Sequence, residues 1–365
     1  MGFEQARFQV VWTNEVNPEF ARMYEKGMTL WRQSADPLAK EAAVTELKSI
    51  SLIPAERILK AAFPAGRPKL FGIIGGSPCP DFANGGKHKG KSGRHGRLTQ
   101  IFVNRICSIQ PHFFVFENVP GLYRTKVHSA FLKEIEVHLE KCGFNLDLKI
   151  LSSLEFGVPQ DRERLFVIGV KNQLANLCAG RRIQKHERGW FPWPRRKYAN
   201  AKARFCWPDK VPFGREPILP KGVPAELTVL SVLDGANPPA IVPNGTEGFV
   251  PYSKKFSTVL EGDTKRKSFK RLHRYRFSPT ACYGHNEVHL HPWENRRLTV
   301  RETMRIQGIP DTYVLPEPEE ASLSAKFALI ANGVPVPLAR HVAVSLRKFL
   351  TPAVKTLGTP DGYMD

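Results

Sequence analysis

Residues 70–80 have the sequence LFGIIGGSPCP, an apolar run followed by two glycines and a cysteine between two prolines. A short run rich in β-branched and aromatic residues predicts a buried strand over residues 70–75, and the glycines predict a tight turn directly after it. Four other runs of the same kind predict further strands. They cover residues 9–13, 113–117, 146–151 and 165–170.

Helical spacing of apolar residues separates these strands. It predicts helices over residues 17–26, 98–109 and 129–142, the first with Asn17 as N-cap and Pro18 at the first helical position. Strands alternating with helices predict an α/β fold, a doubly wound, Rossmann-like parallel sheet, in residues 1–170. Ligands of such sheets bind at the carboxyl ends of the strands. Three polar clusters are predicted there: Asn14-Glu15, Ser77-Pro78-Cys79 and Glu117-Asn118.

Residues 171–295 differ in composition and predict a second, smaller domain. Residues 181–210 are strongly basic with interleaved Trp190, Phe191, Trp193 and Tyr198, and a second basic block covers residues 254–276. Basic side chains suit phosphates and aromatic rings can stack on bases, so this region predicts nucleic-acid contact. The alternative is a solvated surface over an ordinary small core. Periodicity returns in residues 296–350, where residues 322–350 predict helix, turn and helix; residues 351–365 form a tail.

Composition limits the classes of protein to which this chain can belong. In 365 residues, 54 Lys and Arg against 34 Asp and Glu give a net charge of +20, which favours a polyanionic partner. The chain has neither an apolar stretch of membrane-spanning length nor a secretory signal, so we expect a cytoplasmic protein with no membrane partner. Six scattered cysteines without a CxxC pair predict neither a disulfide framework nor a metal site.

Three elements carry potential chemistry. Cys79 lies on a strand-end turn near lysines that favour its thiolate, although a buried, inert cysteine is the alternative. Glu117 ends a neighbouring apolar strand, where an acidic residue must be paired or functional. In Gln160-Asp161-Arg162-Glu163-Arg164, the alternating arginines point to one side of an extended segment and could orient Glu117 or bind an anion.

In order along the chain, these motifs resemble those of the DNA (cytosine-5)-methyltransferases. Pro78-Cys79 resembles the Pro-Cys nucleophile motif of the family, Glu117-Asn118-Val119 its Glu-Asn-Val motif, and residues 160–164 its Gln-x-Arg-x-Arg motif. Residues 297–302, RLTVRE, resemble the segment that supports the recognition domain, and residues 332–339, NGVPVPLA, the C-terminal cofactor motif. Five motifs in the order of the family make a chance match very improbable.

The resemblance implies a reaction and roles for the residues. Cys79 would attack C6 of cytosine, Glu117 would donate to N3, and Arg164, supported by Arg162, would hold O2 and Glu117. The base must be flipped out of the duplex, and residues 81–97 resemble the loop that closes over it. The residues expected to contact DNA are basic. They are Lys87, Lys89, Arg94, Arg97, Arg195, Arg196 and Lys197.

The resemblance also implies S-adenosyl-L-methionine as methyl donor. Glu15 would hold the ribose hydroxyls, Val16, Pro78 and Leu98 would flank the adenine, and Asn332 would contact the methionine end. A helix N-cap is the alternative explanation of residues 14–17.

Two departures from the family pattern fall on the cofactor side. The Phe-x-Gly-x-Gly-Gly turn after the first strand is absent, and no acidic residue lies near residues 49–51. We expect that the natural protein starts upstream and that the first strand is therefore missing from this sequence. The alternatives are that a separate polypeptide supplies this strand, or that the protein has lost donor binding. The predicted function is methylation of duplex DNA, with a cognate restriction endonuclease as a possible partner. An RNA cytosine-5 methyltransferase and an inactive DNA-binding homologue remain open.

Overall fold

The computed structural model describes residues 1–76, 94–234, 238–266, 268–280, 283 and 288–358. A four-stranded sheet has the order β1-β2-β4-β3, and a two-stranded sheet pairs β5 with β6. The strands are β1 (Gly72–Gly76), β2 (Phe113–Asn118), β3 (Phe144–Ser152), β4 (Glu163–Lys171), β5 (Lys270–Arg271) and β6 (His289–Leu290). The α-helices are α1 (Gly2–Gln5), α2 (Pro18–Ala35), α3 (Ala55–Ala62), α4 (Arg94–Ile109), α5 (Gly121–Arg124), α6 (Lys126–Lys141), α7 (Asn172–Ala179), α8 (Ala201–Arg204), α9 (Leu230–Leu233), α10 (Lys255–Thr258), α11 (Val300–Ile306), α12 (Leu323–Asn332) and α13 (Val336–Leu357).

The larger sheet is mixed, so the expectation of a wholly parallel sheet is wrong for one strand. β1 and β2 are parallel, whereas β4 runs antiparallel to both β2 and β3. The physical reason is the short link between β3 and β4, because a parallel crossover needs a dozen or more residues. The start of β4, which contains Arg164, therefore lies beside the C-terminal end of β2.

Alternation along the strands divides the core between two layers. Phe114 and Phe116 of β2 pack with α4 and α6 on one face. Phe113 and Val115 pack with α1, α7 and α13 on the other. The helix predicted from residue 17 is α2, and Asn17 caps it by accepting hydrogen bonds from the backbone N–H groups of Glu19 and Phe20. Helices on both faces make this the predicted α/β architecture.

Residues 9–13 are not a strand, which corrects the prediction for that segment. Near its end, Asn14 forms a one-residue parallel bridge with Glu46. Apolar, β-branched residues form a strand only when a neighbouring ladder accepts their backbone groups. β1 lies at one edge of the larger sheet, and Ile74 at its centre is 45% exposed.

Two aromatic residues of the basic segment, Trp190 and Phe191, belong to the core, which corrects their assignment to base stacking, whereas Trp193 and Tyr198 are only partly buried. Trp190 and Phe191 are buried against Phe349 of α13, in the same core as β2 and β4. The Trp190 indole donates to the carbonyl oxygen of Leu146 at 3.0 Å. The basic segment is therefore anchored on the first domain, and the domain border at residue 171 stays a prediction.

The RLTVRE segment, residues 297–302, makes polar contacts both with residues 171–295 and with the C-terminal segment. Thr299 and Glu302 form a capping box at the start of α11. Arg301 is fully buried and donates to the carbonyl oxygens of Pro243, Pro310 and Tyr313 at 2.9, 3.2 and 3.0 Å. The guanidinium fits because its fork of donors can serve several carbonyls at once.

Helices α12 and α13 follow the predicted helix, turn and helix, with Ser322 as N-cap of α12. The expectation that the chain has no apolar stretch of membrane-spanning length is wrong, because Leu323–Leu357 is long and apolar enough to cross a membrane by length and composition. The buried residues of α13, such as Leu338 and Leu346, pack instead in the sheet core. A core helix accounts for so apolar a segment.

The structure joins Cys107 and Cys142 by a disulfide, with a Cα–Cα distance of 5.7 Å. The sequence predicted no disulfide framework, and it did not indicate this one pair. The two residues are 35 apart in sequence, and only the packing of α4 on α6 brings them together. No spacing rule for cysteines could have shown this.

Candidate active site

The candidate catalytic acid, Glu117, lies at the carboxyl end of β2. The register of the parallel pair places it beside Gly76, the last residue of β1. A Cβ atom built on Gly76 would lie 2.7 Å from Oε2 of Glu117, so the absent side chain leaves room for the carboxylate. Pro78 and Cys79 follow within three residues of Gly76 but lie outside the described residues.

Arg164 holds the other oxygen of this carboxylate. Its Nε lies 3.0 Å from Oε1 of Glu117, and both side chains are mostly buried. Because β4 runs antiparallel to β2, the first residues of β4 reach the end of β2. One arginine of the 160–164 motif thus contacts the acid.

Burial raises the pKa of Glu117, and the positive charges of Arg164 and Arg162 lower it in part. Desolvation has the larger effect, so the protonated carboxyl is favoured more than in water. A carboxyl with a raised pKa can donate a hydrogen bond or a proton to a base nitrogen. The position of Glu117 and its raised pKa therefore both suit it to donate to a base nitrogen.

Arg162 has a different place from Arg164, although both belong to one motif. It is 1% exposed, and its Nη2 donates to the carbonyl oxygen of Ala331 at 2.7 Å. This bond ties the start of β4 to the end of α12, directly before Asn332. The hydroxyl of Ser153 donates to the backbone carbonyl of Gln160, which fixes the turn before Arg162. The sequence predicted that Arg162 supports Arg164, but it gave no indication of the bond from Arg162 to the C-terminal segment, because the two are far apart in the chain.

The residues predicted to hold the cofactor lie on three separate elements. Glu15 is half-buried before α2, and its Oε1 accepts from the backbone N–H of Asn17 at 2.8 Å. Val16 is 57% exposed, Leu98 is half-buried on α4, and Asn332 is exposed at the end of α12. The N-cap explanation of residues 14–17 is confirmed for Asn17. Their convergence on one ligand stays a prediction.

The basic turn of Arg195, Arg196 and Lys197 is exposed and lies near the catalytic edge of the sheet. Arg196 pairs with Glu155 at 3.2 Å, directly after β3. Since β3 is parallel to β2, its end lies at the edge that carries Glu117. Lys197 pairs with Glu226 at 2.8 Å. These acidic partners could not be predicted from the sequence, because they lie about 30 to 40 residues away in the chain.

The remaining predicted DNA contacts precede or begin α4. Arg97 is exposed on its first turn, and Arg94 begins it, although the side chain of Arg94 is outside the described part. Lys87 and Lys89 lie outside the described residues. Arg97 and the basic turn remain predicted DNA contacts.

Comparison with known proteins identifies relatives along most of the chain. The family model for C-5 cytosine-specific DNA methylase matches residues 1–204 and 243–348. The chain is 37% identical to Type II methyltransferase M.NmeDI of Neisseria meningitidis serogroup C, over 96% of this chain and 81% of the relative. It is 28% identical to Type II methyltransferase M.FnuDI of Fusobacterium nucleatum, over 96% and 91%.

Solved structures agree on the fold. A putative DNA modification methyltransferase from an E. coli prophage aligns with a TM-score of 0.61 at 20% identity, over 96% of this chain and 95% of that one. The S. pombe Dnmt2 methyltransferase aligns with a TM-score of 0.55 at 16% identity, over 98% and 95%. At these identities the likeness concerns the fold alone.

Proposed function

The chain belongs to the C-5 cytosine-specific DNA methylases, and we propose that it methylates C5 of a flipped cytosine in a specific duplex DNA sequence through a covalent bond to Cys79. The observation that supports this mechanism best is the position of Glu117. It lies between Gly76 and Arg164, with a raised pKa, beside the strand that leads to Cys79. An inactive DNA-binding protein would need no buried acid at this point.

The chemistry assigns each group one task. C5 of cytosine is a poor nucleophile, and addition of the Cys79 thiolate at C6 makes the ring enamine-like. Negative charge then develops towards N3, where the protonated carboxyl of Glu117 donates. Arg164 orients Glu117 and supplies donors for the base O2. Arg162 fixes the start of β4 through its hydrogen bond to the carbonyl oxygen of Ala331.

S-adenosyl-L-methionine supplies the methyl group when it is bound. The described residues fit its nucleoside half, because a half-buried carboxylate and an exposed apolar side chain are adjacent at Glu15 and Val16. Oε2 of Glu15 would accept from ribose hydroxyls, and Val16 and Leu98 would pack on the adenine. Pro78 would complete the adenine site, and Asn332 would contact the methionine end.

The charge and the relatives support duplex DNA as substrate. A net charge of +20 favours a polyanion, and the basic turn of residues 195–197 lies near the catalytic edge. The relatives' names are those of Type II methyltransferases. We therefore propose the modification role in a restriction system, in the cytoplasm, with an endonuclease that cuts the same sequence.

The test measures transfer of a radiolabelled methyl group to unmethylated duplex DNA, to structured RNA and to no nucleic acid. Transfer to DNA that disappears in Cys79→Ser, while DNA binding stays within a few-fold, is the expected result. Cys206→Ser is the matched control, because Cys206 is an exposed free cysteine in the basic region. Transfer to RNA alone would assign another substrate, and turnover by Cys79→Ser would refute the mechanism.

A covalent trap locates the nucleophile. Duplex DNA with 5-fluorocytosine at the target should stay attached to the enzyme, since fluorine cannot leave as a proton does. Mass spectrometry should place the adduct on Cys79. An adduct on another cysteine would show that the nucleophile is misassigned.

A further inference from the structure

Cys107, His138 and Cys142 form a cluster on the helical layer that covers one face of the sheet. Their ligand atoms, two sulfurs and one imidazole nitrogen, all lie within 4.8 Å of one another. Cys107 is near the end of α4, and His138 and Cys142 are four residues apart at the end of α6, so they share one helix face. The three groups come from two helices whose apolar residues are packed together.

The backbone of both cysteines is fixed by polar side chains. Gln110 donates through Nε2 to the carbonyl oxygen of Cys107 at 2.7 Å. Lys171 donates through Nζ to the carbonyl oxygen of Cys142 at 2.8 Å and also to the side chain of Gln110. These bonds connect α4, the residue after α6 and the end of β4. The cluster is therefore held by elements that do not depend on the disulfide.

The donor set decides which ligand fits. Two thiolates and one imidazole, without a carboxylate, suit a soft or borderline divalent ion and disfavour Mg²⁺ or Ca²⁺. Around a tetrahedral ion with bonds of about 2.3 Å to sulfur and about 2.0 Å to nitrogen, the ligand atoms lie closer to one another than 4.8 Å. The three ligand atoms of this cluster already lie within that distance of one another. Water can take the fourth position, as in zinc sites with three protein ligands.

We propose that Cys107, His138 and Cys142 bind one Zn²⁺ ion when the disulfide is reduced. The disulfide form has no thiolates for the metal. A dithiol reductant gives two electrons and two protons to the sulfurs and becomes a cyclic disulfide. Zn²⁺ then displaces the thiol protons and joins α4 to α6 in place of the sulfur–sulfur bond. The proposal does not depend on the methylation mechanism.

The experiment titrates the whole reduced protein with Co²⁺ under anaerobic conditions and then displaces Co²⁺ with Zn²⁺. We expect one equivalent of Co²⁺ with the absorption of thiolate-bound tetrahedral cobalt, and a higher melting temperature with Zn²⁺. Cys107→Ser and His138→Gln should each weaken binding by more than about tenfold. Cys178→Ser is the matched control, since Cys178 is a half-buried free cysteine on α7, and should bind as the wild type does.

The measurement separates the alternatives even if one variant folds poorly. Cys142→Ala is a further variant, and a melting curve is recorded for each variant without metal. The curves show whether the loss of Co²⁺ binding is larger than the loss of folded protein explains. Absence of saturable binding by folded, reduced wild-type protein would overturn the proposal. Unchanged binding by Cys107→Ser would do the same, and so would a disulfide that resists the dithiol, because the site would then never exist.

Discussion

Gly76→Ala tests how closely the strand before Cys79 positions Glu117, the proposed catalytic acid. The new methyl group would lie 2.7 Å from Oε2 of Glu117, whereas ordinary contacts begin at 3.4 Å, so the carboxylate must move by about 0.7 Å. Its other oxygen is 3.0 Å from Nε of Arg164, and a movement of this size away from Gly76 stretches or turns that bond. The methyl group would also lie 3.0 Å from the backbone carbonyl oxygen of Glu117, so the ends of β1 and β2 must separate by a few tenths of an ångström.

The magnitude follows from the task of Glu117. A general acid contributes about 10²–10⁴ in rate, and a displacement near 1 Å costs about 10²-fold, so we expect methyl transfer in a single turnover to fall roughly 100-fold. DNA binding should change little, because the proposed contact of Glu117 is with the flipped base alone. Rapid-quench measurement of radiolabel transfer to unmethylated DNA reports this step directly.

Gly75→Ala is the matched control. Its Cβ would lie 2.7 Å from the ring of Phe102, on the opposite face of the strand. Overpacking there should lower the free energy of unfolding by about 1–3 kcal/mol while the folded fraction still transfers methyl groups within a few-fold of wild type. Wild-type transfer by Gly76→Ala, or equal losses in both folded variants, would refute the positioning role.

Three further predictions concern charged residues. Arg164→Met removes a positive charge that lowers the raised pKa of Glu117, so the carboxyl should stay protonated to higher pH. The alkaline limb of the pH–rate profile should therefore move to higher pH. Arg124→Met, at an exposed ion pair, should leave that limb in place. Neutralising residues 195–197 should weaken binding to all DNA sequences and flatten the salt dependence by about one unit of slope per lost phosphate contact, and an unchanged slope in a binding titration would place the DNA elsewhere. Arg301→Leu should lower the free energy of unfolding by about 3 kcal/mol in urea denaturation, since three carbonyl groups lose a buried donor, and a loss under 1 kcal/mol would contradict this account.

Short-range patterns were sufficient for most of the catalytic domain. The apolar runs predicted β1 to β4 within two residues at each end, and β2 and β4 are almost wholly buried in the covered sheet, whereas β1 is an edge strand. The N-cap at Asn17 and the turn before α13 depend on local chemistry and were also predicted correctly. Residues 9–13 have the same local character, yet they form no strand, since a strand needs a partner that local sequence cannot provide.

The sequence by itself determined the α/β class, the basic character and the order of the motifs that identify the family. Only the tertiary structure decided that β4 is antiparallel, that Arg164 contacts Glu117 while Arg162 binds the carbonyl of Ala331, and that Cys107 meets Cys142. Strand propensity, helix capping and charge are properties of neighbouring residues in the chain. Contacts between residues tens or hundreds of positions apart depend on how the packed layers place their edges, and that placement exists only once the whole core has formed.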